Sequence, residues 1–291
     1  RDALSLELLS ARLQAERTNG ENTVFTVSTL ASELKAQGKY DEAEPLFREA
    51  MEARRETLGS RHPDTLSSMN NLGLLLQAKG DLAAAEPLFR EALEVRRETL
   101  GDRHQHTLSS INHLGLLLFS KGDLTVAEPL SREALEVRRE TLGDRHPDTL
   151  SSMNNLGLLL FFKGDLTAAE PLSREALKVM RETIGDRHPS TLNCIRNFGS
   201  LLQAKGDLAA AEALFREALE VRRETLGNRH PGTLYSMNNL GMLLQDKGDL
   251  AAAELMFREA LEAKRETLGS RHPSTLIAIR NLARCAAEGQ G

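Results

Sequence analysis

Histidine is the residue of this sequence with the most obvious capacity for chemistry, because it recurs at a fixed interval. Six copies each follow an arginine, at His62, His104, His146, His188, His230 and His272. Imidazole binds zinc and titrates near neutral pH, so a metal site or a pH-sensitive site is one interpretation. A metal needs several ligands within a few ångström, whereas ligands on successive packed helical layers would lie roughly 10 Å apart. We therefore predict a structural loop role for these histidines, with no metal and no cofactor.

Charged side chains recur at the same interval. The segment REALEVRRETLG is identical at 90–101, 132–143 and 216–227. Its charges, three or four residues apart, indicate a solvated helix face with pairs such as Arg90 with Glu94 and Glu94 with Arg97. A catalytic role for Arg-Arg-Glu is the weaker alternative. No nucleotide-binding, metalloprotease or serine hydrolase motif occurs, so we predict that the chain is not an enzyme.

Lysine forms a further periodic set. Its members are Lys79, Lys121, Lys163, Lys205 and Lys247. Each is predicted to lie in the last turn of a helix, where a cation interacts favourably with the helix dipole. A basic binding stripe is the alternative interpretation.

Composition narrows the possible functions. The 291 residues are 40% hydrophobic, 4% aromatic and 27% charged, with a net charge of −5. This balance lacks the basic excess that nucleic acid binding demands, and no apolar run approaches the roughly 20 residues of a membrane span. Cys194 and Cys285 show no paired spacing, which favours a reducing intracellular compartment such as the cytoplasm. Because the first residue is Arg1, we expect the original N-terminus to be missing, so targeting stays undetermined.

The recurrence has a period of 42 residues. The stretch RHPDTLSSMNNLGLLL occurs verbatim at 61–76 and again at 145–160, two periods apart. Glycine recurs in three registers, which include Gly38, Gly59 and Gly73. Three glycine registers with one period identify the chain as an array of a single repeated unit.

Each unit is predicted to contain two helices. The first runs from about Thr65 to Lys79 and ends at Gly80, and Asp81 caps the second. Apolar residues at three-to-four spacing give each helix one buried face. In the first helix they are Leu66, Met69, Leu72, Leu75 and Leu76; in the second they are Ala85, Leu88, Phe89, Ala92, Leu93 and Leu100.

The predicted fold class follows from stacking such units. One unit cannot bury both helical faces, but an array can, so we predict an all-α, right-handed α-solenoid of about fourteen helices. In register, the array comprises a half repeat (1–22), six full repeats (23–64, 65–106, 107–148, 149–190, 191–232 and 233–274) and a terminal helix (275–291). Since it begins and closes on half units, we expect both ends to be cut.

The unit resembles a tetratricopeptide repeat. Gly73, Ala85, Phe89 and Ala92 stand at the signature positions, although the usual repeat has about 34 residues. The eight extra residues, together with HPDTLSSMNNLG and EALEVRRETLG, are similar to the kinesin light chain type. The resemblance covers nearly the whole chain and is specific for fold, whereas the repeat serves many unrelated scaffolds. It implies that the first helices line the concave face of the superhelix.

The resemblance also implies which residues line the groove. With Leu66 as position 1, these are positions 2, 5, 6, 9, 12 and 13. Kinesin light chains contact cargo peptides through an Asn pair, a role that maps onto Asn70, Asn71, Asn112, Asn154, Asn155, Asn197, Asn238, Asn239 and Asn281. Alternatively, one Asn of each pair bonds the neighbouring repeat, and both interpretations stay open. The family's basic residues near position 2 are replaced here by Ser, Asn or Tyr, so its preference for acidic motifs does not carry over.

Variation among the copies of the repeat marks a candidate site for partner specificity within the groove. Its aromatic part, Phe119, Phe161 and Phe162, is called here the aromatic address. Phe119, Phe161 and Phe162, with Leu116 and Leu158, are predicted to form an apolar patch of the kind that marks contact sites. His113, Arg196 and Tyr235 are further groove residues that depart from the repeat.

Together these patterns predict a non-catalytic adaptor that binds other proteins. The partner would present an extended or helical segment with apolar anchors to the concave groove, and neither nucleic acid nor a membrane is expected. The alternatives are an architectural subunit of a large complex and a regulatory part of a larger enzyme or signalling protein.

Overall fold

The structure, a computed structural model, describes residues 2–20 and 22–289, and over these residues it is all-α with no strand. Fourteen helices lie within the described ranges, which confirms the predicted fold class of tandem helical repeats. They are α1 (Asp2–Asn19), α2 (Val24–Ala36), α3 (Tyr40–Leu58), α4 (Pro63–Lys79), α5 (Leu82–Leu100), α6 (Gln105–Lys121), α7 (Leu124–Leu142), α8 (Pro147–Lys163), α9 (Leu166–Ile184), α10 (Pro189–Ala204), α11 (Leu208–Leu226), α12 (Pro231–Asp246), α13 (Leu250–Leu268) and α14 (Pro273–Glu288).

Contacts along the chain divide it into two units. The first unit is Arg1–Thr141 and the second is Leu142–Gly291. Successive helices pack side by side from α1 to α6 in the first unit and from α8 to α14 in the second, as expected for stacked helical hairpins.

The periodic histidines start the first helices. Nδ1 of His62 accepts a hydrogen bond from the backbone N–H of Asp64 at 3.2 Å, and Pro63 occupies the first helical position. The other five histidines cap their helices in the same way. Helix α4 therefore begins two residues before the predicted Thr65, because histidine supplies the acceptor that Ser or Asp usually provides. These hydrogen bonds confirm the structural role predicted for the six periodic histidines.

Glycine and aspartate separate the two helices of a unit as predicted. Gly80 has φ 86° and ψ 2°, the left-handed conformation that ends α4 without a Cβ penalty. Asp81 then accepts from the N–H of Ala84 at 3.1 Å and caps α5.

The predicted core of the first helix is confirmed. All five of its apolar residues are at most 1% exposed. In α5 the prediction holds for Ala85, Phe89, Ala92 and Leu93, but Leu88 is half-buried and Leu100 is 37% exposed. Leu100 is the last residue of its helix, and Gly101 caps it.

A close approach explains the glycine at the centre of the first helix. A Cβ built on Gly73 would lie 2.7 Å from Cε1 of Phe89, so the phenyl ring occupies the space of the missing side chain. Gly199 and Gly241 meet Phe215 and Phe257 in the same manner.

Ion pairs between repeats account for the periodic lysines. Nζ of Lys79 lies 2.7 Å from a carboxylate oxygen of Glu44, and Lys121, Lys205 and Lys247 pair with glutamates 35 residues earlier. These four lysines stand at or beside a helix end, as predicted, but their charge is compensated. They do not form the basic binding stripe considered as the alternative.

The arginine pairs predicted within α5 are wrong. Arg90 pairs with Glu86, one turn earlier, and Arg97 pairs with Glu133 in the next repeat. The Arg-Arg-Glu stretch is not a uniformly solvated face either, because Arg96 is only 4% exposed. The sequence spacing allowed pairs within the helix, whereas the stacking brings a carboxylate of the next second helix closer.

Candidate functional site

The repeated asparagines form a ladder between repeats. Nδ2 of Asn197 donates to Oδ1 of Asn154 at 3.0 Å, and Nδ2 of Asn281 donates to Oδ1 of Asn238 at 2.6 Å. In both pairs, position 6 of one first helix bonds position 5 of the preceding one. The structural alternative left open by the sequence is therefore correct for these pairs, and only the remaining amide groups are available to a ligand.

In the first unit this ladder is altered. Asn70 is 6% exposed, and His113 stands where a ladder asparagine would be. Neither Oδ1 of Asn70 nor Nδ1 of His113 has a hydrogen-bond partner among the described residues. Burial, reinforced by the positive charges of Arg96, Arg138 and Lys35, lowers the pKa of His113. The His113 ring is therefore neutral at pH 7, and it packs 5.7 Å from the ring of Phe89.

Arginines of the second helices reach the face formed by the first helices. Nη1 of Arg96 donates to Oγ of Ser110, and Nη1 of Arg222 donates to Oγ of Ser236, both at 2.6 Å. The residues Arg96 and Arg222 are 4% and 7% exposed, and neither forms a salt bridge with a carboxylate of the described residues. Burial lowers the pKa of each, but an arginine keeps its charge at any physiological pH. Both are thus buried cations without an anion.

One of these arginines lines a pocket of about 400 Å³ in the second unit, named here the groove pocket. First helices α8, α10 and α12 supply most of its wall, and Arg222 enters from α11. The lining residues are Asn154, Asn155, Leu158, Asn193, Arg196, Asn197, Arg222, Gly232 and Tyr235. Two arginines and four asparagines therefore face a pocket whose lining includes no acidic residue.

Arg196 and Tyr235 form one side of the groove pocket. Nη1 of Arg196 donates to the Tyr235 hydroxyl at 3.3 Å, and the guanidinium carbon lies 5.4 Å from the ring centroid. Nε of Arg196 is buried without a hydrogen-bond partner. The nearby Arg196 charge contributes, after burial, to lowering the pKa of Arg222. An anion in this pocket would face two cations and would relieve their mutual repulsion.

Six predicted groove residues meet in this pocket: Asn154, Asn155, Leu158, Arg196, Asn197 and Tyr235. Asn193 also lies in the pocket, at position 2 of the predicted groove set, whereas sequence reasoning missed Arg222 and Gly232 as site residues. Arg222 was overlooked because it belongs to the nearly invariant second helix, so variation among the copies gave no signal. Its 14-residue spacing to Ser236, which Arg96 and Ser110 share, could have revealed it.

The other predicted residues lie outside the groove pocket. The rings of Phe161 and Phe162 meet edge to face at 5.1 Å, and Phe162 is 58% exposed. Asn238 and Asn239, both half-buried, follow Tyr235 on α12. The first unit carries Asn70, Asn71, Asn112, His113, Leu116 and Phe119, among which Asn71 is exposed and Phe119 is half-buried.

In the residues that the structure describes, no group of three or more His, Cys, Asp or Glu side chains is arranged to hold a metal ion. No helix in the described part of the chain is long and apolar enough to cross a membrane.

Comparison with known proteins identifies the family. A tetratricopeptide repeat model matches residues 22–98, 72–123, 105–182, 154–224 and 193–266, so the chain belongs to the tetratricopeptide repeat family. No curated protein sequence matches it.

Solved structures of similar fold include kinesin light chain-like proteins, which agrees with the resemblance seen in the sequence. A putative kinesin light chain of Podosopora anserina, described as nearly identical TPR-like repeats, is 24% identical with a TM-score of 0.61, covering 71% of this chain and 98% of its own. BtubC (BKLC) from P. vanneervenii is 23% identical with a TM-score of 0.64, covering 80% and 94%. The apo form of RapI is 12% identical with a TM-score of 0.62, covering 92% and 98%.

Proposed function

We propose that this protein is a non-catalytic adaptor whose first helices bind a segment of a partner protein. Tetratricopeptide repeat proteins are generally protein-interaction scaffolds, which supports the general role. The observation that carries the specific proposal is the groove pocket, where six predicted groove residues converge around two arginines without an acidic neighbour.

The polar groups of the groove pocket suit a peptide that bears a carboxylate. Arg196 and Arg222 supply guanidinium donors for a carboxylate, and the burial of Arg222 strengthens such an interaction by excluding water. The ladder uses only part of Asn154 and Asn197, so the second oxygen lone pairs and amide hydrogens can bond a peptide backbone of any sequence. The ligand expected from these groups is an extended or helical segment with one acidic residue.

Apolar anchors of that segment would use the aromatic residues on α8. Phe161 and Phe162 expose an edge-to-face pair on the helix that also supplies Asn154, Asn155 and Leu158 to the pocket. Aromatic side chains supply much of the binding energy of protein interfaces when a ligand excludes water from them.

A display experiment tests the proposal. A phage library of random twelve-residue peptides is selected on the whole chain, and the affinity of each enriched peptide is measured by fluorescence anisotropy. We expect enriched peptides that combine an acidic residue with apolar residues. Replacing Arg196→Asn and Tyr235→Ser installs the residues of sister repeats and should weaken their binding by about tenfold or more.

The matched control is Cys194→Ser, which also installs a sister residue but at a fully buried position beside the pocket. It should leave peptide affinity unchanged. If enriched peptides carry no acidic residue, or bind the Arg196→Asn, Tyr235→Ser variant as well as the original protein, the groove proposal is wrong. The architectural alternative, in which partners contact other surfaces of the chain, would then be the better-supported interpretation.

A further inference from the structure

A second pocket of about 580 Å³ lies elsewhere in the second unit, between α9 and α11 with α10 behind them, and is named here the outer pocket. Its apolar wall consists of Leu177, Phe198, Leu202 and Leu214, with Ala210 and Ala213 at one edge. It shares no lining residue with the groove pocket. Helix α10 presents Phe198 and Leu202 to the outer pocket and a different face, with Arg196 and Asn197, to the groove pocket.

Two lining residues of the outer pocket, Phe198 and Lys178, are unique among the copies of the repeat, and a third, Ala213, departs from most of them. Phe198 replaces a leucine that all six other first helices carry at this position. Ala213 stands where four copies have proline and one has Leu255, and only Ala3 of the half repeat shares the alanine. Lys178 replaces a glutamate found in five copies, and the remaining copy has Ser10. Residues at three separated sequence positions that depart from most copies therefore meet in one pocket.

The substitutions also change the charge at the mouth of the pocket. Arg174 pairs with Glu170, and the guanidinium carbon of Arg174 lies 5.2 Å from the ring centroid of Phe198. Arg181 pairs with Glu217. Among the described residues Lys178 has no ionic or hydrogen-bond partner, so the uncompensated charge of the rim is positive where sister repeats carry a negative one.

The two acidic residues of the rim are already engaged. Glu182 accepts from Arg145 at 2.9 Å, and Asp207 accepts from the backbone N–H of Ala210 to cap α11. The carboxylates of Glu182 and Asp207 therefore do not compete for Lys178, and a carboxylate of a ligand can pair with its ammonium group.

We propose that the outer pocket is a second docking site, which takes a partner-protein segment with a leucine or phenylalanine flanked by aspartate or glutamate. The apolar side chain covers Phe198 and Leu202, and the flanking carboxylate pairs with Lys178. An open pocket with an apolar floor and one free cation fits this ligand by shape and by charge. The site is independent of the groove pocket and so extends the scaffold role to a separate surface.

Restoring the residues of the sister repeats tests this site. The variant Lys178→Glu, Phe198→Leu, Ala213→Pro has at each position a residue that other copies accept, so it should fold, as circular dichroism will verify. The probe is an array of hexapeptides with one Leu or Phe next to zero, one or two Asp or Glu, and matching peptides with Lys. We expect the acidic peptides to bind the original protein at least about tenfold more tightly than the variant.

The single change Lys178→Glu gives the sharper result. It should reverse the charge preference, so that Lys-bearing peptides bind better than their acidic counterparts while the apolar requirement persists. The groove variant Arg196→Asn, Tyr235→Ser serves as the control and should keep full affinity for these peptides, which separates this site from the groove proposal. Equal binding of acidic and basic peptides to the original protein and to Lys178→Glu would overturn the outer-pocket proposal.

Discussion

The buried arginine of the groove pocket offers a test in which stability and binding should change in opposite directions. Arg222 on α11 bonds Ser236 on α12, and the equivalent pair on α9 and α10 is Met180 with Cys194. Met180 and Cys194 are 2% and 0% exposed, so the fold already accommodates the apolar pair at one of its repeats. The double change Arg222→Met, Ser236→Cys copies that pair into the groove pocket.

The magnitude follows from what the change removes. The charged hydrogen bond from Nη1 of Arg222 to Ser236, at 2.6 Å, contributes about 1.5–3 kcal/mol. Keeping a guanidinium group buried without an anion costs several kcal/mol, and a methionine of similar length recovers apolar contact in its place. We therefore expect the free energy of unfolding to rise by about 1–2 kcal/mol. For a unit of this size, that corresponds to an increase in Tm of roughly 2–4 °C per kcal/mol.

Hydrogen exchange is the suitable assay, because stacked repeats need not unfold in one step. The amides of α11 and α12 should exchange more slowly in the double variant, while those of α2 to α5 should be unchanged. Acidic peptides selected on the original protein should bind about tenfold more weakly, since one of two cations is gone. Faster exchange in α11 and α12 together with unchanged peptide affinity would refute the reasoning and assign Arg222 a purely structural role.

Three further predictions concern stacking, the aromatic address and pH. Leu156→Asp would bury a charge at a position that is 2% exposed, so it should destabilise α8 and α9 by several kcal/mol while the first unit keeps its helicity; one all-or-none loss of protection in hydrogen exchange would contradict this. The triple change Phe119→Gln, Phe161→Gln, Phe162→Ala uses residues of sister repeats, so the protein should stay folded, as circular dichroism will show. It should bind the selected peptides at least about tenfold more weakly, whereas full affinity would show that these phenylalanines do not contribute to binding. The hydrogen bond from Lys79 lowers the pKa of Glu44, so the folded state binds fewer protons at this group than the unfolded chain does. The resulting stabilisation is present above the ordinary carboxyl pKa and is lost as pH falls through the lowered pKa. The midpoint of urea unfolding should therefore fall less steeply with decreasing pH in Glu44→Gln than in the original protein.

The fold was predictable because its determinants are local and repeated. A single unit displays the apolar spacing, the left-handed Gly80 and the capping Asp81, and repetition makes each signal unmistakable. The start of the first helix was misplaced by two residues because histidine is an unusual cap. Its role depends on the orientation of Nδ1 toward the N–H of Asp64, which composition does not reveal.

The candidate site was only partly predictable, for a different physical reason. Positions within one helix follow from its period, so the groove-facing set could be named in advance. Contacts between helices depend on the stacking offset, which decides that Arg97 meets Glu133 rather than Glu94 and that Arg222 reaches the groove pocket. The sequence did not reveal the outer pocket either, because Lys178, Phe198 and Ala213 come together only when three helices pack.

The way in which copies depart from the repeat distinguishes packing from recognition. Where other copies have a buried Arg-Ser pair, such as Arg222 with Ser236, one copy has Met180 and Cys194, which are also buried. The two changes compensate each other, because a thioether has no hydrogen-bond donor and so does not need the serine hydroxyl as an acceptor. The changes at Lys178, Phe198 and Ala213 are of another kind, since together they line one pocket and leave one exposed cation unpaired among the described residues. A ligand with the opposite charge would account for an unpaired surface cation beside this apolar pocket. Recognition is thus expected on α8 to α12, where both pockets lie, and the remaining copies hold those five helices in register.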